Sequence, residues 1–268
     1  MARTLKQIGT GLQRRWRIAT NLKGPWYRRS IAAAVTGKRG LEIGGPSSVF
    51  SPHQPNRLLP PVYALAASVD NCNYAASTVW SKGAAGTTFE YLPGVPPGQQ
   101  YIVDATGLGS IEDQTYDFIL ASHVLEHVAN PLKALQEWRR VLKPGGYALV
   151  LLPNKAYTFD HRRPDTTFAH LQQDLENDVQ DDDRTHLDEI LSLHDLELDK
   201  PAGSKEHFRE RSLRNIENRC LHHHVFSPRL LHQVLRSSGF DVMYLSLILP
   251  PHILAFARRR RLPHSAAS

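Results

Sequence analysis

The chain has 268 residues, 41% of them hydrophobic and 22% charged. That is the balance of an ordinary water-exposed α/β protein, with size enough for one large domain or two small ones. No run approaches the roughly 18–20 apolar residues of a membrane-spanning helix, which argues against an integral membrane protein. The start, MARTLKQIGTGLQRRWRIAT, is charged and has no continuous apolar core of the kind a secretory signal needs. Two distant cysteines, Cys72 and Cys220, predict no disulfide framework, and a cytoplasmic location is expected.

The net charge of +6 is unevenly placed. Residues 1–40 carry ten Lys or Arg and no acid, and Arg258 to Arg261 form a second basic run near the other end. Such ends suit contact with an anionic membrane surface, a nucleic acid or an acidic substrate, or simply a solvated flank. Asp174 to Glu189 is acid-rich, so the basic character is local.

In chain order, residues 1–37 read as a basic helical extension, with Trp26 to Thr36 as an amphipathic helix after the Gly24-Pro25 break. Leu41 to Ser48, LEIGGPSS, reads as a strand running into a glycine turn, the kind of place where α/β proteins receive nucleotide-like ligands. Val62 to Val69 reads as a buried strand ending at Asp70, and Tyr101 to Val103 as another ending at Asp104. Tyr116 to Ala121 is a strand followed by SHVLEH. Asn130 and Pro131 then open a helix whose Leu132, Leu135, Trp138, Val141 and Leu142 share one face. Lys143-Pro144-Gly145-Gly146 predicts its stop, and Tyr147 to Leu152 a strand covered on both faces.

Between Pro153 and Phe226 the alternation lapses into a polar, histidine-rich insert with short helical patterns such as Thr185 to Leu193. Ser227-Pro228 starts another helix, stopped by Gly239. Phe240 to Leu249 and His252 to Ala257 are two strands too closely joined to be parallel. The expectation is a Rossmann-like, seven-stranded, mostly parallel sheet with an antiparallel terminal hairpin in a three-layer sandwich. It would span 38–258, with the insert at 153–226 and a basic tail at 259–268.

The segments LEIGGPS, DAT at Asp104, YDFILASHVLEHVANPLKALQEWRRVLKPGGYALVLLPN and the closing helix–strand pair resemble the class I S-adenosylmethionine-dependent methyltransferases, in particular the methyltransferase-domain group with a VLEH-type segment. The resemblance covers about 38–155 and 227–258. It implies S-adenosyl-L-methionine as cofactor. Glu42, Gly44 and Gly45, with Pro46 and Ser47, would hold its methionine end, and Asp70 its ribose. Asp104 and Ala105 would meet the adenine, while Ser122 and His123 would line the wall beside the sulfonium. Against the fuller three-glycine loop of such enzymes, GGPSS trades freedom for stiffness.

Histidine is suited to take a proton from a hydroxyl acceptor near neutral pH. His127 and His123 are the first candidates; His161, His186, His194 and His222 to His224 are further ones, and a packing role is the competing reading for each. HVLEH also matches an inverted zinc-protease pattern, but it directly follows a strand and precedes a helix start, so no metal is expected. The insert, leaving the fifth strand's carboxyl end, is the expected source of acceptor choice, with Arg162 and Arg163 of HRRPDTT as an anion clamp or as scaffold. A small molecule, lipid or glycan methylated at oxygen is the expected acceptor. A nucleic acid, or a non-catalytic cofactor-binding role, is the alternative.

Overall fold

The computed structural model describes residues 24–54, 58–78, 87–248 and 251–261. The predictions for residues 1–23 and 262–268, including most of the basic extension and tail, lie outside the described residues. Helix α1 (Gly24–Val35) leads into β1 (Arg39–Ile43), and a four-residue helix α2 (Val62–Leu65) precedes β2 (Ser68–Asn73). Then come β3 (Thr88–Phe89), β4 (Gly98–Ile102), β5 (Tyr116–Ser122), α3 (Pro131–Val141) and β6 (Leu142–Pro153). The insert carries α4 (Phe168–Glu176), α5 (Leu187–Leu193), α6 (Lys205–Leu213) and α7 (Asn215–Asn218). Helix α8 (Pro228–Ser237) and the strands β7 (Phe240–Ile248) and β8 (His252–Arg259) complete it.

The strands form one eight-stranded sheet in the order β3-β4-β2-β1-β5-β6-β8-β7. Strands β4, β2, β1, β5 and β6 are parallel, and the β7–β8 hairpin joins antiparallel on β6. The eighth strand, beyond the seven expected, is the two-residue β3, antiparallel at the edge. Its brevity leaves no periodicity to read. Apolar residues fill both faces. Tyr27, Ile31, Phe118 and Leu149 pack on the α1 side, and Trp138, Leu135, Leu231 and Ile119 on the α3 and α8 side, giving three layers. Chain order reverses direction across the sheet beside β1, so a crevice opens at the carboxyl ends of β1 and β5.

Two local readings are corrected. Val62 to Leu65 is helical, because Pro60-Pro61 precedes it and alanine and leucine favour a helix. The strand beside it starts at Ser68 and is polar in sequence, SVDNCN, yet buried along its length. SHVLEH forms a short 3-10 turn at Leu125–His127 between β5 and α3. Helix α3 begins as expected: Asn130 Oδ1 accepts from Lys133 N at 3.1 Å, with Pro131 at its first position. It passes straight into β6 at Leu142, which carries the KPGG segment as part of the strand.

Candidate active site

At the carboxyl end of β1 the chain turns through Gly44 and Gly45, both with left-handed φ (78° and 81°). Any side chain at Gly45 would place its Cβ 2.4 Å from the Glu42 carboxyl carbon, and one at Gly44 would come 2.8 Å from Val124. Both positions therefore require glycine. The turn is tied down from beneath. Glu42 is fully buried and accepts from the Tyr63 hydroxyl (2.7 Å) and from Ser47 N (3.0 Å). Burial raises its carboxyl to about 8 despite those two donors. Asn71 donates to the carbonyls of Glu42 and Gly44, and Gly44 N donates to Cys72 O at 2.8 Å.

Above the turn lies a cavity of about 1310 Å³. The sheet side supplies Gly44, Gly45, Pro46 and Ser47 after β1, Asn73 and Tyr74 after β2, Asp104 and Ala105 after β4, and Ser122 and His123 after β5. Six of the sequence-predicted groups thus meet there: the two glycines, Pro46 and Ser47, the Asp104–Ala105 turn, Ser122, His123 and His127. Glu42 does not border the cavity; it positions the loop that does.

Asp70 is the clear correction. It sits in mid-strand, opposite Leu41, rather than at the strand's end. Its carboxylate is consumed by Arg39 (2.7 Å), Tyr116 Oη (2.8 Å) and Gln99 N (2.8 Å). The strand-end position belongs to Asn73, whose Nδ2 donates to Gly45 O at 3.3 Å. Sequence reading missed it because the strand was set several residues too early.

Asp104 leaves β4 with Oδ1 accepting from Thr106 N and Oγ1, both at 2.8 Å. Its Oδ2 lies 3.4 Å from Arg219 of the insert. The turn is held from behind by Trp138 Nε1, donating to Ala105 O at 3.2 Å, and by Arg140, donating to the carbonyls of Leu108 and Ile111.

The far wall comes from the insert and β8: Phe159, Arg211, Arg219, His222 and His252. His123, in a left-handed conformation (φ 55°), approaches His252 with Nε2 2.9 Å from Nδ1. Burial, with His252 next, pushes the His123 imidazole down to about 4, so it is neutral at pH 7. His127 is half-buried and also held well below the usual histidine range, chiefly by desolvation; its Nδ1 donates to Leu221 O at 3.0 Å. His222 meets the His127 ring edge-on at 4.6 Å. Its Nδ1 binds the Asp160 carboxylate, and Arg163 donates to that carboxylate's other oxygen at 3.2 Å. Burial works against charge on His222, but Asp160 more than offsets it and the net displacement is upward. Of the two readings open for Arg163, clamp or scaffold, the side chain takes the second: it is buried against Asp160, Glu189 and the carbonyls of His222 and His223. No spacing rule would have paired Asp160 with His222 across 62 residues.

A parallel sheet whose strand ends present a glycine turn, a polar side chain and an acid around one crevice is the frame of a nucleotide-type cofactor site. Residues 15–245 match the family described as "Methyltransferase domain", and the chain belongs to it. It is a class I methyltransferase that uses S-adenosyl-L-methionine. The arrangement fits that cofactor: the Gly44–Ser47 turn and the Asp104–Ala105 turn line one cavity at the carboxyl ends of the strands.

Among solved structures the chain is similar to an S-adenosylmethionine-dependent methyltransferase from Mesorhizobium loti, with 15% identity, 90% of this chain and 99% of that one covered, and a TM-score of 0.49. The trans-methyltransferase CalH, solved in complex with SAH, gives 18% identity, 87% and 54% coverage and a TM-score of 0.48. The CurJ carbon methyltransferase gives 16%, 84% and 49%, and 0.46. The chain thus spans about half the length of the CurJ and CalH chains. No curated protein matches it. No helix among the described residues is long and apolar enough to cross a membrane.

Proposed function

We propose that the chain methylates a hydroxyl oxygen of a small-molecule, lipid or glycan acceptor held beneath the insert. The observation that carries this reading is the shared cavity: the glycine turn and Asp104 face the His127–His222 pair across one space. The cofactor, when bound, supplies a methyl carbon on a sulfonium, a leaving group that needs no acid. Asn73 and Asp104, at adjacent strand ends, would accept hydrogen bonds from its ribose and adenine, and the Gly44–Ser47 turn would receive its methionine end.

The chain's remaining task is to align an acceptor and take its proton. Holding reactants in line is worth up to ~7–11 kcal/mol in well-oriented cases. His222 is built for the proton. Asp160 fixes its Nδ1–H, which leaves the lone pair on Nε2, and Arg163 fixes Asp160 in turn. His127, whose Nδ1 is committed to Leu221 O, likewise carries its lone pair on Nε2 and stands beside it. His123 is paired with His252 and serves as a wall. On the insert side Arg211 pairs with Asp199 and Arg219 with Asp104 and Asp181, so that wall is a network of ion pairs that fixes its shape. Contact of the basic ends with an anionic surface remains part of this proposal.

The test is mass spectrometry of products from methyl-labelled cofactor and fractionated cell extract. We expect a labelled methyl ether. His222→Ala and His127→Ala should keep cofactor affinity while turnover falls about 10²–10⁴-fold in at least one of them. Full turnover in both would remove the base assignment. Tight cofactor binding with no product from any fraction would favour a binding module.

A further inference from the structure

The insert holds a second histidine group that the cavity does not use. His170 and Asp174 lie one turn apart on α4, with His170 Nε2 3.3 Å from Asp174 Oδ2. The same His170 Nε2 is 2.9 Å from Nε2 of His186, the residue that opens α5. His224, 1% exposed, donates from Nε2 to Ala129 O at 3.0 Å, which leaves its lone pair on Nδ1. One ring nitrogen from each of the three histidines lies within 4.8 Å of the others. Two buried atoms of this group, His224 Nδ1 and Asp174 Oδ2, have no hydrogen-bond partner.

Orphaned acceptors of this kind are costly in a protein interior. With the rings neutral, three imidazoles and a carboxylate converge with more lone pairs than protons. A divalent cation satisfies every one of them. In a tetrahedral zinc site with bonds near 2.0–2.1 Å, ligand atoms stand about 3.3 Å apart. The His170–His186 and His170–Asp174 separations of 2.9 and 3.3 Å lie within a few tenths of that, while Asp174 Oδ2 stands 3.8 Å from the nearer nitrogen of His224. The Ala129 carbonyl supplies the outer contact that fixes a ligand's tautomer.

We propose that His170, Asp174, His186 and His224 bind one zinc-class divalent cation with a structural role. Three imidazoles and one carboxylate, without thiolate, suit zinc. None of the four borders the cavity, so the ion takes no part in methyl transfer. It would clamp α4, the start of α5 and the segment before α8, and so hold the segment that carries His222 against the sheet. The other convergent group, Glu126, His127 and His222, is a weaker candidate, since His222 is already bound to Asp160.

The full chain, purified without a polyhistidine tag, is loaded with Zn²⁺, desalted and assayed by elemental mass spectrometry. About one zinc per chain is expected, falling below about a tenth in His170→Ala and in Asp174→Asn, with His127→Ala unchanged. His170 is one-third exposed, so that variant should fold where His224→Ala could fail. Zn²⁺ should raise the Tm of the parent chain and not that of His170→Ala. Co²⁺ should give a tetrahedral visible spectrum in the parent only. Wild-type chain that holds less than about a tenth of an equivalent after loading, with no Tm shift, overturns the proposal. So does metal that survives His170→Ala but leaves with His127→Ala.

Discussion

Tyr63 donates its hydroxyl proton to Glu42 Oε2 at 2.7 Å, joining α2 to the end of β1 directly beneath the glycine turn. The carboxyl it serves is fully buried and raised to about 8, so folding favours its protonated form. Between pH 4.5 and about 8 the folded chain keeps a proton that the unfolded chain gives up. Stability from this group is therefore present at low pH and is lost as pH rises through that window, by on the order of 4 kcal/mol. Glu42→Gln should flatten this dependence and stabilise the protein most at alkaline pH. Urea unfolding across that pH window reads both effects, and an unchanged slope in the variant would discard Glu42 as the source.

Gly45→Ala should act on the cofactor before it acts on the fold. The left-handed φ alone costs about 1–2 kcal/mol for a residue with a Cβ. The new methyl group would also displace the Glu42 carboxyl 2.4 Å away, along with the bond it accepts from Ser47 N. We expect cofactor affinity to fall at least about tenfold, as a misplaced cradle loses several contacts at once. Calorimetric titration with the cofactor measures it; parent-like affinity would mean the turn is not the binding surface.

Much of this site was readable in LEIGGPSS and in the Tyr116–Asn154 block because backbone needs leave marks there. Only glycine tolerates the φ of 78° and 81° at the turn, and Asn130-Pro131 is a helix start by local chemistry alone. What escaped is what depends on tertiary pairing. Strand β2 hides its burial behind Asp70, Asn71 and Asn73, each satisfied by a partner far along the chain, so no alternation reveals it. The insert is the extreme case: Asp160, Arg163, His222 and His223 come together through contacts up to 62 residues apart. Histidine abundance marked the insert without showing which rings border the cavity.

Arg163 gives the insert its firmest internal tie. Its guanidinium is buried and meets Asp160 at 3.2 Å, Glu189 at 2.8 Å and the carbonyls of His222 and His223 at 2.7 and 3.1 Å. Removing it breaks a buried ion pair, leaving Asp160 with His222 as its remaining charged partner and the carbonyls of His222 and His223 without their donor, a change that costs about 3–5 kcal/mol. Arg163→Met should therefore lower the denaturation midpoint sharply and release the insert to protease. Arg236→Met, which breaks only an exposed 3.6 Å pair with Asp241, should cost no more than about 0.5 kcal/mol. Equal effects in the two variants would deny the Arg163 cluster its anchoring role.

Asp70 and Asn73 are three residues apart on β2 and should separate cleanly by experiment. Asp70 is fully engaged with Arg39, Tyr116 and Gln99 and does not border the cavity. Asp70→Ala leaves the Tyr116 hydroxyl and Gln99 N without their acceptor, at about 1–3 kcal/mol for each buried group so stranded. Its effect should appear in stability, with cofactor affinity in the folded fraction unchanged. Asn73 stands where the strand opens onto the cavity and forms one 3.3 Å bond to the glycine turn. Asn73→Ala should weaken cofactor binding about tenfold, the equivalent of one lost hydrogen bond in a closed site, and shift the denaturation midpoint little. If instead Asp70→Ala abolishes binding in chains that remain folded while Asn73→Ala binds normally, the ribose contact lies deeper in the strand than its end.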